Sequence, residues 1–558
     1  MIIQPAIGQF PRRSIVKSLI LLTIIIFSCN FSFAYNINYT FINKTDAPKP
    51  YIHVIISFKT ANQRTTQLNL PSGWVNQTEL YNCIKNIKCE TENTSIDTTE
   101  NKAHLLLNAT ENTQITLSYD LISDFEGDIS NRKYFRPIIK ADCFYFLGVN
   151  GLIIPETIKT DKLTVSLNWK GFNKTTLVNS FGTGQVNEKI TTDYNRFHAA
   201  VFAGGNLRLQ PVINKTHHIL VAVYGKFAFS DDSLNRIVDK IITNEHDFWD
   251  DHDYPYFLVT AFPCRNAGGG TGYTNSFSIF YEPQLKMEDG LIKLLYHECF
   301  HKWNGQKIDP GDGGEFTCKW FIEGFTDYYA EKLSIDNKLQ SQEDYVKYIN
   351  NLLNVLYISP KRNADNRQIE ELKYTDPDIY NLPYVRGPLF ALLCNNQMMR
   401  ETKGKYNLDN VMREILRLGE QGKPFTLDMF LKAIAKFDPM STIPEQLNQI
   451  IINGRDFNLN DLFDHDRYSI NYKDVTVVDP GFDFNLTQKS KKIIGLKNGS
   501  NAEKAGLKEG MEGQVTSYWS NDATKAIKVQ VKQDNTLKTI TYFPNPVKPI
   551  RVPYITKI

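Results

Sequence analysis

His297-Glu298-Cys299-Phe300-His301 concentrates more chemistry than any other stretch of this chain. Histidines four residues apart share a helix face and can point two imidazoles at one metal ion. Glu298 lies about 100° round the same helix, within reach of a water that such a metal would acidify, which makes it a candidate general base. Three matching positions alone also fit two ordinary helical histidines. Two further features weigh against that. The preceding run, Leu291-Ile292-Lys293-Leu294-Leu295-Tyr296, is apolar at helical spacing, so the pair is expected inside the protein, where an unpaired His or Glu is costly. A second apolar run, Trp320-Phe321-Ile322-Glu323-Gly324-Phe325, then brings Glu323 22 residues after His301. Helix, loop and antiparallel helix fit that interval. Glu323 would complete a His/His/Glu set that leaves zinc a fourth position for water, the catalytic arrangement. Asp327, one turn on, either orients a ligand imidazole from behind or is a plain acid on the helix surface.

The elements around these residues fall into three zones. Residues 35–215 read as a β-domain: Tyr51-Ile52-His53-Val54-Ile55-Ile56 is β-branched, and Leu163-Thr164-Val165-Ser166-Leu167-Asn168-Trp169 alternates with period two. An antiparallel arrangement is expected. Residues 216–470 form the helix-rich zone that holds the histidine motif. It opens with a strand at His218 and a helix capped near Ser230 that runs to about Trp249. A second strand at Tyr256 leads to a glycine-rich loop, Gly268-Gly269-Gly270-Thr271-Gly272. That loop lacks the Gly-Lys-Ser/Thr of a phosphate site and fits close approach of a substrate backbone instead. Residues 471–558 return to strands and glycine-rich turns. The fold class is α+β and multidomain.

Residues 1–34 read as a secretory signal peptide: Arg12, Arg13 and Lys17 precede an apolar run, and Ser32-Phe33-Ala34 offers a cleavage site. The mature chain is then exported, secreted or periplasmic, and holds no later apolar run of membrane-spanning length. Lys+Arg at 63 against Asp+Glu at 61 argues against nucleic-acid binding through a basic surface. Eight cysteines in 558 residues are too few for a disulfide scaffold, although Cys83 and Cys89 flank a turn and are placed to pair.

The stretch from His297 to Trp303-Asn304, with Glu315-Phe316-Thr317, Trp320 to Thr326 and Tyr384-Val385-Arg386-Gly387, resembles the glycyl aminopeptidase family of zinc peptidases, distant relatives of aminopeptidase N and thermolysin. The resemblance implies a β N-terminal domain, a thermolysin-like catalytic domain and a C-terminal PDZ domain. It implies zinc on His297, His301 and Glu323. It matches Tyr384 to the tyrosine that donates to the oxyanion, with Tyr380 as its competitor. Peptide would bind along an edge strand near Gly270 and Asn275. One position departs. The family usually has Gly-Gly-Leu-Glu-His before Asn-Ser, and its acid aligns with Gly272, so the contact that pairs with a substrate's free α-amine is missing. Restoring an acid at Gly272 is expected to strengthen selection of free N-termini. Asn498-Gly499-Ser500-Asn501-Ala502 to Gly510 resembles a PDZ stretch, after a strand expected at Lys492–Leu496. Such a module either takes peptide C-termini or only packs.

The sequence thus points to an exported zinc metallopeptidase, aminopeptidase-like. An endopeptidase without amine selection is one alternative. The other is a non-catalytic peptide-binding protein acting through its PDZ-like module.

Overall fold

The computed structural model describes residues 35–558 except 75–76, 131–132, 161, 173–174, 214–217, 253, 255, 266–267, 274, 312–317, 373–375, 519–523, 534–535 and 546–548. The expected leader, residues 1–34, and Glu315-Phe316-Thr317 lie outside the described residues. The whole is a mixed α/β, multidomain architecture. The N-terminal part is built of sheets. Its six-stranded sheet runs in the order Asn187–Thr192, Leu163–Lys170, Tyr35–Lys44, Tyr51–Lys59, Gln114–Ile122, Ile84–Cys89. The expectation of antiparallel pairing holds except where Tyr35–Lys44 meets Leu163–Lys170, which run parallel. Buried and half-buried residues alternate along these strands, as period-two patterning requires. Cys83 and Cys89 are free thiols rather than a bridge: Cys83 is buried, and the Cys89 sulfur faces the Thr116 carbonyl.

The part that holds the histidine motif is organised by a five-stranded sheet in the order Arg208–Ile213, His218–Val223, Tyr256–Pro263, Ser276–Tyr281, Gly269–Tyr273. Its first hairpin straddles the boundary expected at 215/216. The three central strands pair in parallel, and they are covered on both faces. Leu220, Ala222, Leu258, Phe262 and Phe280 pack with Tyr145 and Phe135 of the N-terminal sheets. Ile219, Val221, Val223, Phe257, Val259 and Phe277 pack with the helices. This two-sided burial is why His218–Val223 and Tyr256–Pro263 read as unbroken apolar runs. The glycine-rich loop of the sequence is itself the edge strand, Gly269–Tyr273, antiparallel to Ser276–Tyr281.

Three helices matter most below. The motif helix is Leu291–Phe300, the ligand helix Lys319–Asp336 and the tyrosine helix Pro377–Glu401. Ahead of them runs helix Asp231–Trp249, capped by Ser230 Oγ accepting from Ser233 N at 3.1 Å. The ligand and tyrosine helices cross backbone to backbone. A methyl group on Gly324 would lie 2.5 Å from Gly387 Cα, and one on Gly387 would lie 2.4 Å from the Trp320 carbonyl oxygen.

The C-terminal module lies between two strands that pair with each other, Tyr468–Val475 and Ile550–Lys557. Ile555 of the second strand belongs to the helical core, and its backbone is held by Asn350. The last strand thus returns to the helical zone instead of completing the module. Inside the module, Lys492–Leu496 forms no strand, only an isolated bridge from Lys492 to Glu512. Gly495, at positive φ, lies in a turn closed by Glu509, which accepts from Gly495 N and Leu496 N. Backbone pairing is confined to the start of the segment, where Ile493 N–H donates to the Met511 carbonyl at 2.9 Å and the Ile493 carbonyl accepts from Gly510 N at 2.8 Å.

Gly387→Ala is expected to destabilise the helical zone by about 1–3 kcal/mol, since the added methyl forces two backbones apart. Thermal unfolding at an unchanged midpoint would contradict so close a crossing.

Candidate active site and metal centre

The motif helix lays both histidines against the ligand helix. His297 Nε2 and His301 Nε2 are 3.0 Å apart, and Glu323 Oε2 lies 3.4 Å from the first and 3.7 Å from the second. One donor atom from each residue falls within 4.8 Å of the others. The opposite ring nitrogens are already used. His297 Nδ1–H donates to Asp327 Oδ1 at 2.8 Å, and His301 Nδ1–H donates to the Asn304 carbonyl at 2.9 Å. Those bonds fix the tautomers, so both Nε2 lone pairs face one point. Two lone pairs and a carboxylate aimed together call for a cation. Two nitrogens and one oxygen are the donor set of catalytic zinc, so the residues fit that metal.

The acids around the donor point attract positive charge. Burial works against a second proton on His297, but Asp327 and Glu323 outweigh it and hold the metal-free imidazole up at about 10, so a metal bound at Nε2 takes the place of a proton there. Burial also opposes ionisation of the two acids, yet His297 and, for Asp327, Lys293 keep both at about 2. Lys293 Nζ is 3.2 Å from Asp327 Oδ2. Asp327 is therefore no plain surface acid; it stands between a lysine and a histidine. Glu298 differs. Its residue is 7% exposed, and burial, with Glu323 and Asp327 close by, pushes its carboxyl up to about 7 against the pull of His297. A carboxyl poised near neutrality suits proton transfer.

These side chains line a cleft of about 1170 Å³ together with the edge strand, Tyr380 and Tyr384. The edge strand has no side chains where it meets the motif helix. A methyl on Gly270 would lie 2.6 Å from Glu298 Cγ, and one on Gly272 would lie 2.3 Å from the Glu298 carbonyl oxygen. The expectation that an acid restored at Gly272 would take a substrate amine therefore meets a steric bar: the strand sits too close to the helix to carry one. Asn275 is not brought into the cleft. It lies in the hairpin turn, where its amide donates to the Ser180 carbonyl and tethers the turn to the N-terminal sheets. Tyr384 and Tyr380 lie one turn apart and both line the cleft.

Two roles at the site, those of Asn304 and Lys319, escaped sequence reasoning. Asn304 is fully buried, and its amide donates to Phe321 O, Ile322 O and Thr326 Oγ1, each at 3.1 Å, stitching the turn after His301 to the ligand helix around Glu323. Lys319 places its ammonium 4.5 Å from the Tyr380 ring centre and 5.2 Å from that of Tyr384. A lysine one turn before Glu323 on the same helix face was the available signal.

Residues 290–376 match the model of the M61 glycyl aminopeptidase family. Among solved structures, the aminopeptidase N family protein from Idiomarina loihiensis shares the fold with a TM-score of 0.73 at 15% identity, over 93% of this chain and 98% of its own. The M1 zinc metallopeptidase from Deinococcus radiodurans stands at a TM-score of 0.47 and 14% identity, over 76% of this chain and 93% of its own. Comparison with curated proteins finds no matching sequence.

Replacing His297, His301 or Glu323 by Ala leaves two protein ligands, and each variant is expected to lose zinc on dialysis. Asp327→Asn is expected to weaken zinc roughly 10–100-fold. Metal analysis showing full zinc in all of them would contradict the assignment. The matched segment, residues 290–376, holds all three donors of the His297/His301/Glu323 set, and over it the chain resembles the M61 glycyl aminopeptidases.

Proposed function

We propose that this chain is an exported zinc peptidase that cleaves peptides in an aminopeptidase-like manner. The observation that carries the reading is the buried Glu298 carboxyl, placed between a His/His/Glu donor set and a bare glycine edge strand. Zinc, when bound by His297, His301 and Glu323, supplies Lewis-acid chemistry that acidifies water and polarises the scissile carbonyl. The chain's own residues do the rest. A peptide pairs with the edge strand at Gly270 by adding a strand to the sheet. Glu298 takes the proton of the attacking water and passes it to the leaving amine. Tyr384 donates its hydroxyl hydrogen to the developing oxyanion. Lys319 steadies the Tyr380 and Tyr384 rings, while Asp327 and the Asn304 carbonyl keep both imidazoles turned toward the donor point.

A second reading has its own observation. The strand cannot carry an acid at Gly272, so nothing on it rewards a charged α-amine. That favours endopeptidase action without N-terminal selection. Export rests on the basic-then-apolar pattern before Ala34. The C-terminal module is read as PDZ-like, and a peptide C-terminus is its proposed ligand. Among the described residues, no helix is long and apolar enough to cross a membrane.

Glu298→Gln is expected to keep zinc and fold but lose peptidase activity by orders of magnitude, and near wild-type turnover would reject Glu298 as the base. Tyr384→Phe is expected to lower kcat by about 10²–10³ with little change in KM. The same loss in Tyr380→Phe alone would swap the two roles. Turnover of one peptide with a free and an acetylated N-terminus separates the readings: strong loss on acetylation supports the aminopeptidase, and similar kcat/KM supports the endopeptidase.

A further inference from the structure

The edge strand offers a peptide less than its length suggests. Its hairpin pairs Tyr273 with Ser276, Thr271 with Ser278 and Gly269 with Phe280. Across a two-residue connection the closing pair exchanges both backbone hydrogen bonds, and bonded pairs then alternate along the ladder. Gly270 and Gly272 therefore turn their N–H and C=O groups away from Ser276–Tyr281, toward the open edge. Of these two outward residues, Gly272 is engaged from within the chain: its carbonyl accepts from Gln306 Nε2 at 3.0 Å.

Gln306 lines the cleft five residues after His301. Its neighbours hold it there. Asn304 is tied to the ligand helix, and Lys307 Nζ reaches Asp251 at 2.8 Å and Glu420 at 3.0 Å. The Gln306 amide thus does at Gly272 what a substrate backbone N–H does when a peptide extends a sheet. Glu298 Cγ lies beside Gly270, and Glu298 hands a proton to the leaving amine, so the cleaved bond lies opposite Gly270.

We infer that the acyl half of a bound peptide runs past Gly272 and that Gln306 is a specificity-determining residue: its amide engages the outward Gly272 carbonyl, so the residue before the cleaved bond pairs at Gly270 and residues farther toward the N-terminus find the next strand acceptor already taken. This rests on the peptidase reading above. Substrates would then be selected mainly by the single residue before the cleaved bond. A hydrogen bond inside the protein sets that limit, not a charge on the strand.

The test uses the zinc-loaded full chain and peptides with one, two or three residues before the cleaved bond. The ratio of kcat/KM for the three-residue to the one-residue peptide is expected near or below one in the wild type. In Gln306→Ala and Gln306→Ser, which free the Gly272 carbonyl, the ratio should rise at least fivefold. A smaller rise in both variants overturns the inference, as does a wild-type ratio already above five. Calorimetric binding of the same peptides to Glu298→Gln, with and without Gln306→Ala, reads the same ratio in Kd without turnover. Absence of cleavage in every protein would then count against the peptidase reading alone, and an unmoved Kd ratio would count against Gln306.

Discussion

The chemistry of this protein depends on how closely two helices cross at Gly324 and Gly387. Helices with ordinary side chains at their contact run 8–10 Å apart. Here a methyl on Gly324 would stand 2.5 Å from Gly387 Cα, so the backbones themselves are the contact. Glu323 precedes the first glycine, and Tyr384 lies three residues before the second. The crossing therefore fixes a carboxylate and a phenol on one wall of the cleft. Asn304 carries the same constraint to the motif helix, because its three donated bonds end on Phe321, Ile322 and Thr326, on either side of Glu323. Loosen that crossing, and the carboxylate drifts from the two imidazoles.

The sheet supplies the opposite wall by a different physical route. Its central strands are buried on both faces, between N-terminal sheets and helices, and of its two edge strands, Arg208–Ile213 and Gly269–Tyr273, the second lines the cleft with backbone groups that can meet a peptide. The edge must approach the motif helix closely enough to put Gly270 against Glu298, and only glycine permits that. The acid missing at Gly272 and the nearness of strand to base are thus two sides of one packing decision.

What the sequence made legible follows from periodicity. His297 and His301 share a face because they are four apart, and Asp327 repeats the face of Glu323 one turn on; both relations are local and need no tertiary information. The unbroken apolar strands at His218 and Tyr256 were legible for the same reason. What stayed hidden is set by contacts between distant segments. Asn275 turned to Ser180, 95 positions earlier, and not to the cleft. Gln306 found Gly272 across the space between a turn and a strand. Tyr468–Val475 waited for Ile550–Lys557, so the end of the chain packs with the helices. Lys492–Leu496 carried a strand-like pattern, but the positive φ of Gly495 and the Glu509 carboxylate turned it into a closed loop.

The central claim is that His297, His301 and Glu323 hold one catalytic zinc. X-ray absorption at the zinc edge tests it most directly. One zinc per chain is expected, with two imidazoles among its ligands and only nitrogen and oxygen donors at about 2.0–2.2 Å. Sulfur scattering at about 2.3 Å, from Cys299 or another thiol, or a protein that leaves purification and zinc loading without the metal, would contradict it.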